Sequence, residues 1–346
     1  MRRALVLALA CAILALAALT FLGLWEADTW WVRMTDFPRL HYVIALLVLL
    51  VLLILLRPKS RTLGVLCTAL AVAALLFNVW KLWPYAITQA GAAESCSQDR
   101  RFTVMIANLQ ASREEAEGLL AAVEHTEPDL FLAMETDPWW DEQLQRLNGQ
   151  FPHRRQEVTD GYYGIHLLSR LPLSASEVMR PAGTDTPAIS TEVALGPDRM
   201  IRFIGLHPRP PHPSQSAQAR DAQLMWAALE ARSSDLPVVL AGDLNSTPWE
   251  VVAERLQRVG AFLDPRQVFG YHATYDAHSW WMYWPLDHLF HQREFSSLRM
   301  DVLPGFGSDH YPVVVELCHQ VSPFEPPELE GADLEIATRA ANALER

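Results

Sequence analysis

The sequence predicts an α/β protein in which two packed β-sheets are flanked by helices and preceded by three transmembrane helices. Three observations predict this. Half of the 346 residues are hydrophobic, and the apolar excess is concentrated before residue 90. Beyond residue 100, strand-length apolar runs alternate with stretches of helical spacing, and the strands outnumber the helices. That imbalance favours two sheets covered by helices. Polar residues also recur where the apolar runs end. A disordered chain is excluded, since it would lack the apolar side chains needed for a core.

The anchor comes first. Residues 4–24, 40–56 and 62–80 form apolar runs of 21, 17 and 19 residues. About 20 such residues cross a bilayer core. Arg2 and Arg3 could form the charged start of a signal peptide, but the first run continues well past Cys11 and two more runs follow. An uncleaved span is therefore expected. The loop Arg57-Pro58-Lys59-Ser60-Arg61 is wholly basic, whereas the loop between spans one and two mixes charges. The positive-inside rule places the N-terminus and the basic loop in the cytoplasm. Everything after Tyr85 then lies beyond the inner (cell) membrane, on the periplasmic or extracytoplasmic side. Trp25, Trp30, Trp31, Trp80, Trp83 and Tyr85 fall at the far-side ends, as an aromatic belt would.

The boundaries follow from these runs: anchor 1–85, a small-residue and polar linker 86–100, a catalytic domain 101–320, and an acidic, proline-rich tail 321–346. The tail is expected to be solvated and without a catalytic role, with a surface helix over Glu328–Glu345. The chain's net charge is −12. Residues 1–93 hold eight basic side chains and three acidic ones, so the remainder carries −17. Lysine is absent after Lys81. So acidic a domain is poorly suited to polyanions, and no basic cluster with interleaved aromatics marks a nucleic-acid groove.

Within the domain, Phe102–Asn108 and Asp129–Glu135 read as buried strands. Ser112 to His125 has helical spacing, with Ser112 and Glu115 placed for a capping box. Pro138 opens a helix through about Asn148. Strands are expected near 163–169, 174–180, 188–195 and 200–207. A helix follows over Ser214–Arg232, then a strand over Val238–Ala241 and a helix with Pro248 in its first turn. Strands near 286–292, 298–303 and 312–318 close the domain. Cys96 precedes the first strand and Cys318 ends the last, so antiparallel pairing of those strands would bring them together. One disulfide and two free thiols both remain open readings.

The strand ends carry the chemistry. Asn108, Glu135, His207, Asp243 with Asn245, and Asp287 each stand at a strand end, and Asp309-His310 precedes the last strand. Taken singly, Asp and Asn at such places start turns and cap helices. Together they suit metal-assisted hydrolysis of a phosphate ester. Glu135 and Asp309 are hard oxygen ligands for Mg²⁺ or Mn²⁺. Asp243 can orient and deprotonate water, and His310 can donate to a phosphoryl oxygen. Asn108 and Asn245 can donate to charge that builds on phosphate.

The segments Ala241-Gly242-Asp243-Leu244-Asn245-Ser246-Thr247-Pro248, Leu286-Asp287-His288 and Gly307-Ser308-Asp309-His310-Tyr311-Pro312-Val313 resemble the endonuclease/exonuclease/phosphatase superfamily. The likeness covers about Arg101 to Leu317 and is supported by Gly164–Arg170 and Gly205-Leu206-His207-Pro208. The front end resembles a bacterial membrane-anchored branch. The resemblance implies a four-layer α/β sandwich and a divalent metal, usually Mg²⁺. It implies metal ligation by Glu135 with Asp309 nearby and Asn108 in support. Asp243 would activate water, Asn245 would steady the transition state, and His207 and His310 would contact the phosphate. The pairing of Asp287 with His310 rests mainly on the family. Met134, where glutamine is common, and Gln110, where asparagine or aspartate is common, depart from the pattern and bear on metal number and preference.

The expected function is therefore a membrane-anchored, metal-dependent phosphoesterase using direct water attack. Its partners would be the lipid bilayer and a phosphoester: a lipid, a small ester or, against the charge, nucleic acid. The competing reading is a non-catalytic, membrane-anchored scaffold that keeps the fold. His212, His272 and His278 read as solvated loop histidines. The segment Trp280-Trp281-Met282-Tyr283-Trp284 reads equally as packing or as a lip for lipid or a stacked ligand.

Overall fold

The computed structural model describes residues 1–88 and 96–344. The part of the expected linker over 89–95, and Glu345, lie outside the described residues. Three helices, Arg2–Leu22, Arg39–Leu56 and Arg61–Leu82, match the three apolar runs within a few residues. All three are long and apolar enough to cross a membrane. They pack on one another through Ile13, Leu46 and Ala71 while most of their remaining apolar surface faces outward.

The domain contains two sheets of mixed direction. The first holds β1 (Arg101–Asn108), β2 (Leu130–Met134), β3 (His153–Glu157) and β4 (Ile165–Ser169), with β10 (Ser296–Val302) and β11 (Val313–Cys318). Its order is β10-β11-β1-β2-β4-β3. The second holds β5 (Leu173–Met179), β6 (Ala188–Gly196), β7 (Arg199–Leu206), β8 (Val238–Asp243) and β9 (Asp287–His291), in chain order.

Alternation along each strand builds the layers. In β1, Phe102, Val104 and Ile106 face the core between the sheets, where they meet residues such as Phe203 and Val239. Met105 and Ala107 face the other way and pack under the helices Glu117–Thr126 and Pro138–Leu144. Behind the second sheet, Ile204, Leu206 and Leu240 pack against Gln218–Ser233, Val251–Gly260 and Asp333–Ala341. The result is a four-layer sandwich.

Strand direction positions the site. β1 and β2 run parallel, and so do β7 and β8, so each pair brings two carboxyl ends together. Antiparallel β9 places its first residue beside the last of β8, with Asp243 opposite Asp287. Antiparallel β11 likewise delivers the chain after His310 to the end of β1.

Several expectations need correction. The helix expected from Ser112 begins at Glu117, and no capping box forms. Gln110 and Ser112 have φ of 56° and 66°, which a helical start does not tolerate. Asp137 takes the Ser112 amide at 3.0 Å, and Glu115 pairs with Arg113 instead. The helix expected from Ser214 begins at Gln218, after Ser214 turns left-handed. Pro248 precedes its helix, which starts at Val251. Strand β3 escaped the sequence reading because His153-Arg154-Arg155-Gln156-Glu157 is wholly polar, a composition suited to the edge it occupies.

The tail is not merely solvated. Its helix, Asp333–Ala341, is shorter than expected and buries Ala337 in the outer core layer. Asp333 is buried and pairs with Arg255 at 3.2 Å and Arg258 at 2.6 Å. Cys96 and Cys318 form a disulfide, with Cα atoms 6.2 Å apart. It joins the segment leading into β1 to the end of β11, which lies opposite Arg101.

Candidate active site

The four parallel strands deliver Asn108, Glu135, His207 and Asp243 to one end of the sandwich, where Asp287, Asp309 and His310 meet them. Glu135, His207, Asp243, Asn245, Asp309 and His310 line one pocket of about 330 Å³. Asn108 and Asp287 stand just behind it. Asn108 donates to Glu135 Oε1 and to Asp243 Oδ2, both at 3.1 Å. Asp287 Oδ2 pairs with His310 Nδ1 at 2.7 Å. All eight sequence-derived residues therefore converge.

Glycine makes the strand end possible. A Cβ at Gly242 would lie 1.8 Å from the Leu206 carbonyl oxygen, and its φ is +148°. Only glycine allows β8 to approach the end of β7 this closely just before Asp243. Beyond it, the Asp243 carboxylate accepts the Asn245 amide at 3.0 Å. The same turn that could have been merely structural thus also orients two polar side chains. Asn245 (φ 50°) and Glu135 (φ 57°) both adopt the left-handed region. Such strain persists where surrounding contacts demand it. For Glu135 those contacts are the Asn108 amide and the Ala111 N–H at 2.9 Å.

Electrostatics separates the groups into roles. Asp243 Oδ2 lies 3.7 Å from Nε2 of both His207 and His310. Burial pushes the Asp243 carboxyl up to about 6, against the attraction of His310. Burial alone would lower His310, but the adjacent Asp287 and Asp243 charges outweigh it and hold the imidazole up at about 10. His207 is lowered, by burial first, which together with the His310 charge outweighs the raising pull of Asp243. Its Nδ1 is buried without a hydrogen-bond partner. Burial likewise raises Glu135, and the Asp309 charge adds to this.

Two groups of acidic residues could hold a cation. Asp243, Asp287 and His310 bring ligand atoms within 4.8 Å of one another. However, Asp287 is already bonded to His310, whose imidazole is positively charged near neutral pH and would repel a cation. Glu135 and Asp309 instead offer carboxylate oxygens at the pocket wall. An all-oxygen donor set suits a hard divalent cation.

The departures from the family pattern have visible consequences. The Met134 thioether accepts the Asp243 amide at 3.0 Å, so this residue supports the backbone at Asp243. At position 110 the bond made is a main-chain one, the Gln110 backbone N–H donating to Asn108 Oδ1 at 3.0 Å.

Several site residues were missed by sequence reasoning. The Tyr275 ring packs 4.8 Å from His310, and Tyr163 lies 5.5 Å from His207. Ser308 donates to the Asn108 carbonyl at 2.8 Å and accepts the His310 amide at 3.0 Å. Its place in the Ser308-Asp309-His310 run was the available signal. His212, read as a solvated loop residue, is exposed but stands at the pocket rim, whereas His272 and His278 are not pocket residues. Met34 and Phe37 reach the pocket from the anchor, and nothing local in the sequence marks them.

Facing sheets with acids, amides and histidines gathered at their strand ends define a class of hydrolases acting on phosphate ester bonds. The chain belongs to the endonuclease/exonuclease/phosphatase family, whose model matches residues 76–310. Enzymes of this family are typically dependent on a divalent metal. The fold is similar to that of a humanized Danio rerio TDP2 (TM-score 0.54, 17% identity, 63% of this chain and 99% of that one). It is also similar to a functionally unknown protein from Enterococcus faecalis V583 (TM-score 0.53, 17% identity, 63% of this chain and 100% of that one). The human Nocturnin catalytic domain aligns at TM-score 0.50 and 18% identity, over 64% of this chain and 96% of that one. No curated protein sequence matches the chain.

Proposed function

We propose that this protein is a membrane-anchored, divalent-metal-dependent phosphoesterase that hydrolyses its substrate by direct attack of water. The observation that carries this reading is Asp243 standing 3.7 Å from Nε2 of both His207 and His310 in a pocket that also holds Glu135 and Asp309. Asp243 accepts the proton of the attacking water, its raised pKa making it a competent base near neutral pH. His310, held by Asp287, and the unpartnered His207 donate to the phosphoryl oxygens. Asn245 steadies charge in the transition state. Glu135 and Asp309 hold the metal, with Asn108 fixing the Glu135 carboxylate. The metal, Mg²⁺ or Mn²⁺, supplies Lewis-acid stabilisation of phosphoryl charge.

Membrane anchoring rests on the three apolar helices. The Cys96–Cys318 disulfide belongs in an oxidising compartment, which supports a domain on the extracytoplasmic side of the cell membrane. One neighbouring structure holds Danio rerio TDP2 with a single-strand DNA product. The −17 charge of residues 94–346 argues against a polyanionic substrate here.

The test uses bis-p-nitrophenyl phosphate with Mg²⁺ or Mn²⁺. Turnover is expected in the wild type, with a loss of about 10²-fold to 10⁴-fold in Asp243→Ala, the range for losing a positioned acid–base group. Glu135→Ala should lose activity and bind Mn²⁺ more weakly by calorimetry. An inert wild type across phosphodiesters, phosphomonoesters and nucleic acids would leave a scaffold instead.

A further inference from the structure

The catalytic pocket does not belong to the soluble domain alone. Met34 and Phe37, in the loop between the first two spans, form part of its wall. Phe37 lies two residues before the second span, Arg39–Leu56, and packs edge-on against Trp284 with ring centroids 5.2 Å apart. Trp284 stacks on Tyr275 at 5.8 Å, and Tyr275 packs on His310 at 4.8 Å. A continuous apolar and aromatic path therefore runs from the start of a membrane span to a catalytic histidine.

The outer end of that path is fixed at the same level. His41, in the first turn of the second span, contacts the Trp281 carbonyl at 2.7 Å through Nε2, and the two rings lie 5.9 Å apart. Trp280 and Trp281 are 87% and 45% exposed. Indole rings favour the headgroup region of a bilayer because one edge is apolar and another can hydrogen-bond. Trp25 and Trp80, at the far-side ends of spans one and three, are also exposed. Side-chain bonds tie this loop to the spans and to the domain. Asp36 pairs with Arg39, Arg39 donates to Asn78 at 2.9 Å, Asn78 donates to Thr20 at 2.9 Å, and Arg33 pairs with Asp221 at 2.8 Å.

We propose that the substrate is a phosphoester of a membrane lipid, whose head group enters the pocket past Phe37 and Trp284 while its hydrocarbon chains stay in the bilayer beside the second span. This rests on the phosphoesterase reading and names its substrate class. The loop that walls the pocket flanks a span, and Phe37, Trp284 and Leu286 make that side of the wall apolar, which suits a ligand that carries hydrocarbon beside its phosphate. The acidity of the domain points the same way. In the reaction, a water oxygen bonds to phosphorus and its proton passes to Asp243. The bond from phosphorus to the ester oxygen breaks, the departing alkoxide takes a proton from solvent, and Asp243 returns its proton to solvent, so one water is consumed per ester.

The test uses the full chain with Mn²⁺ in vesicles of phosphatidylethanolamine, phosphatidylglycerol, cardiolipin and phosphatidic acid. Turnover of lipid phosphorus is followed by phosphorus NMR. At least one lipid should be cleaved, and at least tenfold faster than its deacylated, water-soluble head group. Trp280→Ala combined with Trp281→Ala, both exposed positions, should lower the ratio of lipid turnover to bis-p-nitrophenyl phosphate turnover at least tenfold. Equal rates on lipid and deacylated head group, or an unchanged ratio in the double variant, would overturn the proposal. Turnover of the soluble diester or of single-stranded DNA with no lipid cleaved would also overturn it while sparing the phosphoesterase reading. Loss of both activities would remove that reading as well.

Discussion

Asp287 is wholly buried, with one oxygen on His310 and the other without a partner. Its amide donates to Thr274, and Arg266 braces its carbonyl, so the carboxylate cannot swing away from the imidazole. Asp287→Asn keeps the shape but removes the charge that sustains the imidazolium. Turnover of bis-p-nitrophenyl phosphate is expected to fall by about 10²-fold or more, in the range for acid–base groups, with little change in thermal midpoint. His291 shows burial acting without catalysis. It is enclosed between Ser297 and the Gln292 carbonyl, and burial lowers its pKa to about 4. A depressed folded-state pKa means that the unfolded chain binds the proton more readily between pH 6.5 and 4. The histidine's stabilisation is thus present above 6.5 and lost as pH falls through 4. The stability difference between wild type and His291→Gln should shrink by on the order of 3 kcal/mol between pH 7 and 4, as read by denaturant unfolding.

At the level of elements, the C-terminal helix is the instructive case. Its proline-rich approach and acidic composition suggest a solvated tail, yet Asp333 draws Arg255 and Arg258 from the neighbouring helix into buried ion pairs. Arg255 also reaches Glu26, in the loop after the first apolar helix, at 2.7 Å, so one arginine ties the tail to the N-terminal helices. Asp333→Ala removes the acid shared by Arg255 and Arg258, while Arg255 keeps its pair with Glu26. It should therefore cost about 2 kcal/mol, the range for a charged hydrogen-bond partner, seen as a fall of roughly 4–8 °C in thermal midpoint for a domain of this size. Strands were legible because their apolar runs are buried on both faces, as in β2 and β8, where every residue is buried. Helix starts were less legible, because Ser112 and Ser214 have cap-like side chains in backbone conformations that no helix accepts.

For the whole molecule, the disulfide and the anchor define how the parts are joined. Cys96–Cys318 closes a loop with a sequence separation of 222 residues. Loop-closure entropy for a ring of that length corresponds to about 5 kcal/mol of stabilisation. Non-reducing peptide mapping should recover a linked Cys96–Cys318 peptide, with Cys11 and Cys67 as thiols. Reduction should lower the unfolding midpoint. Two free thiols at Cys96 and Cys318 would contradict the linkage and weaken the case for an oxidising compartment.

The sequence by itself determined the three apolar spans, the two-sheet class and the eight polar residues at strand ends. Each is written locally, as a run of apolar side chains or a short motif whose order along the chain needs no partner to be read. Only the tertiary structure decided that Asp243 stands between two histidines, that the Met134 thioether accepts its amide, and that Phe37 walls the pocket. Those facts depend on contacts between segments as far apart in sequence as Phe37 and Trp284. Burial and neighbouring charge, which set their chemistry, exist only once the sheets have closed on each other.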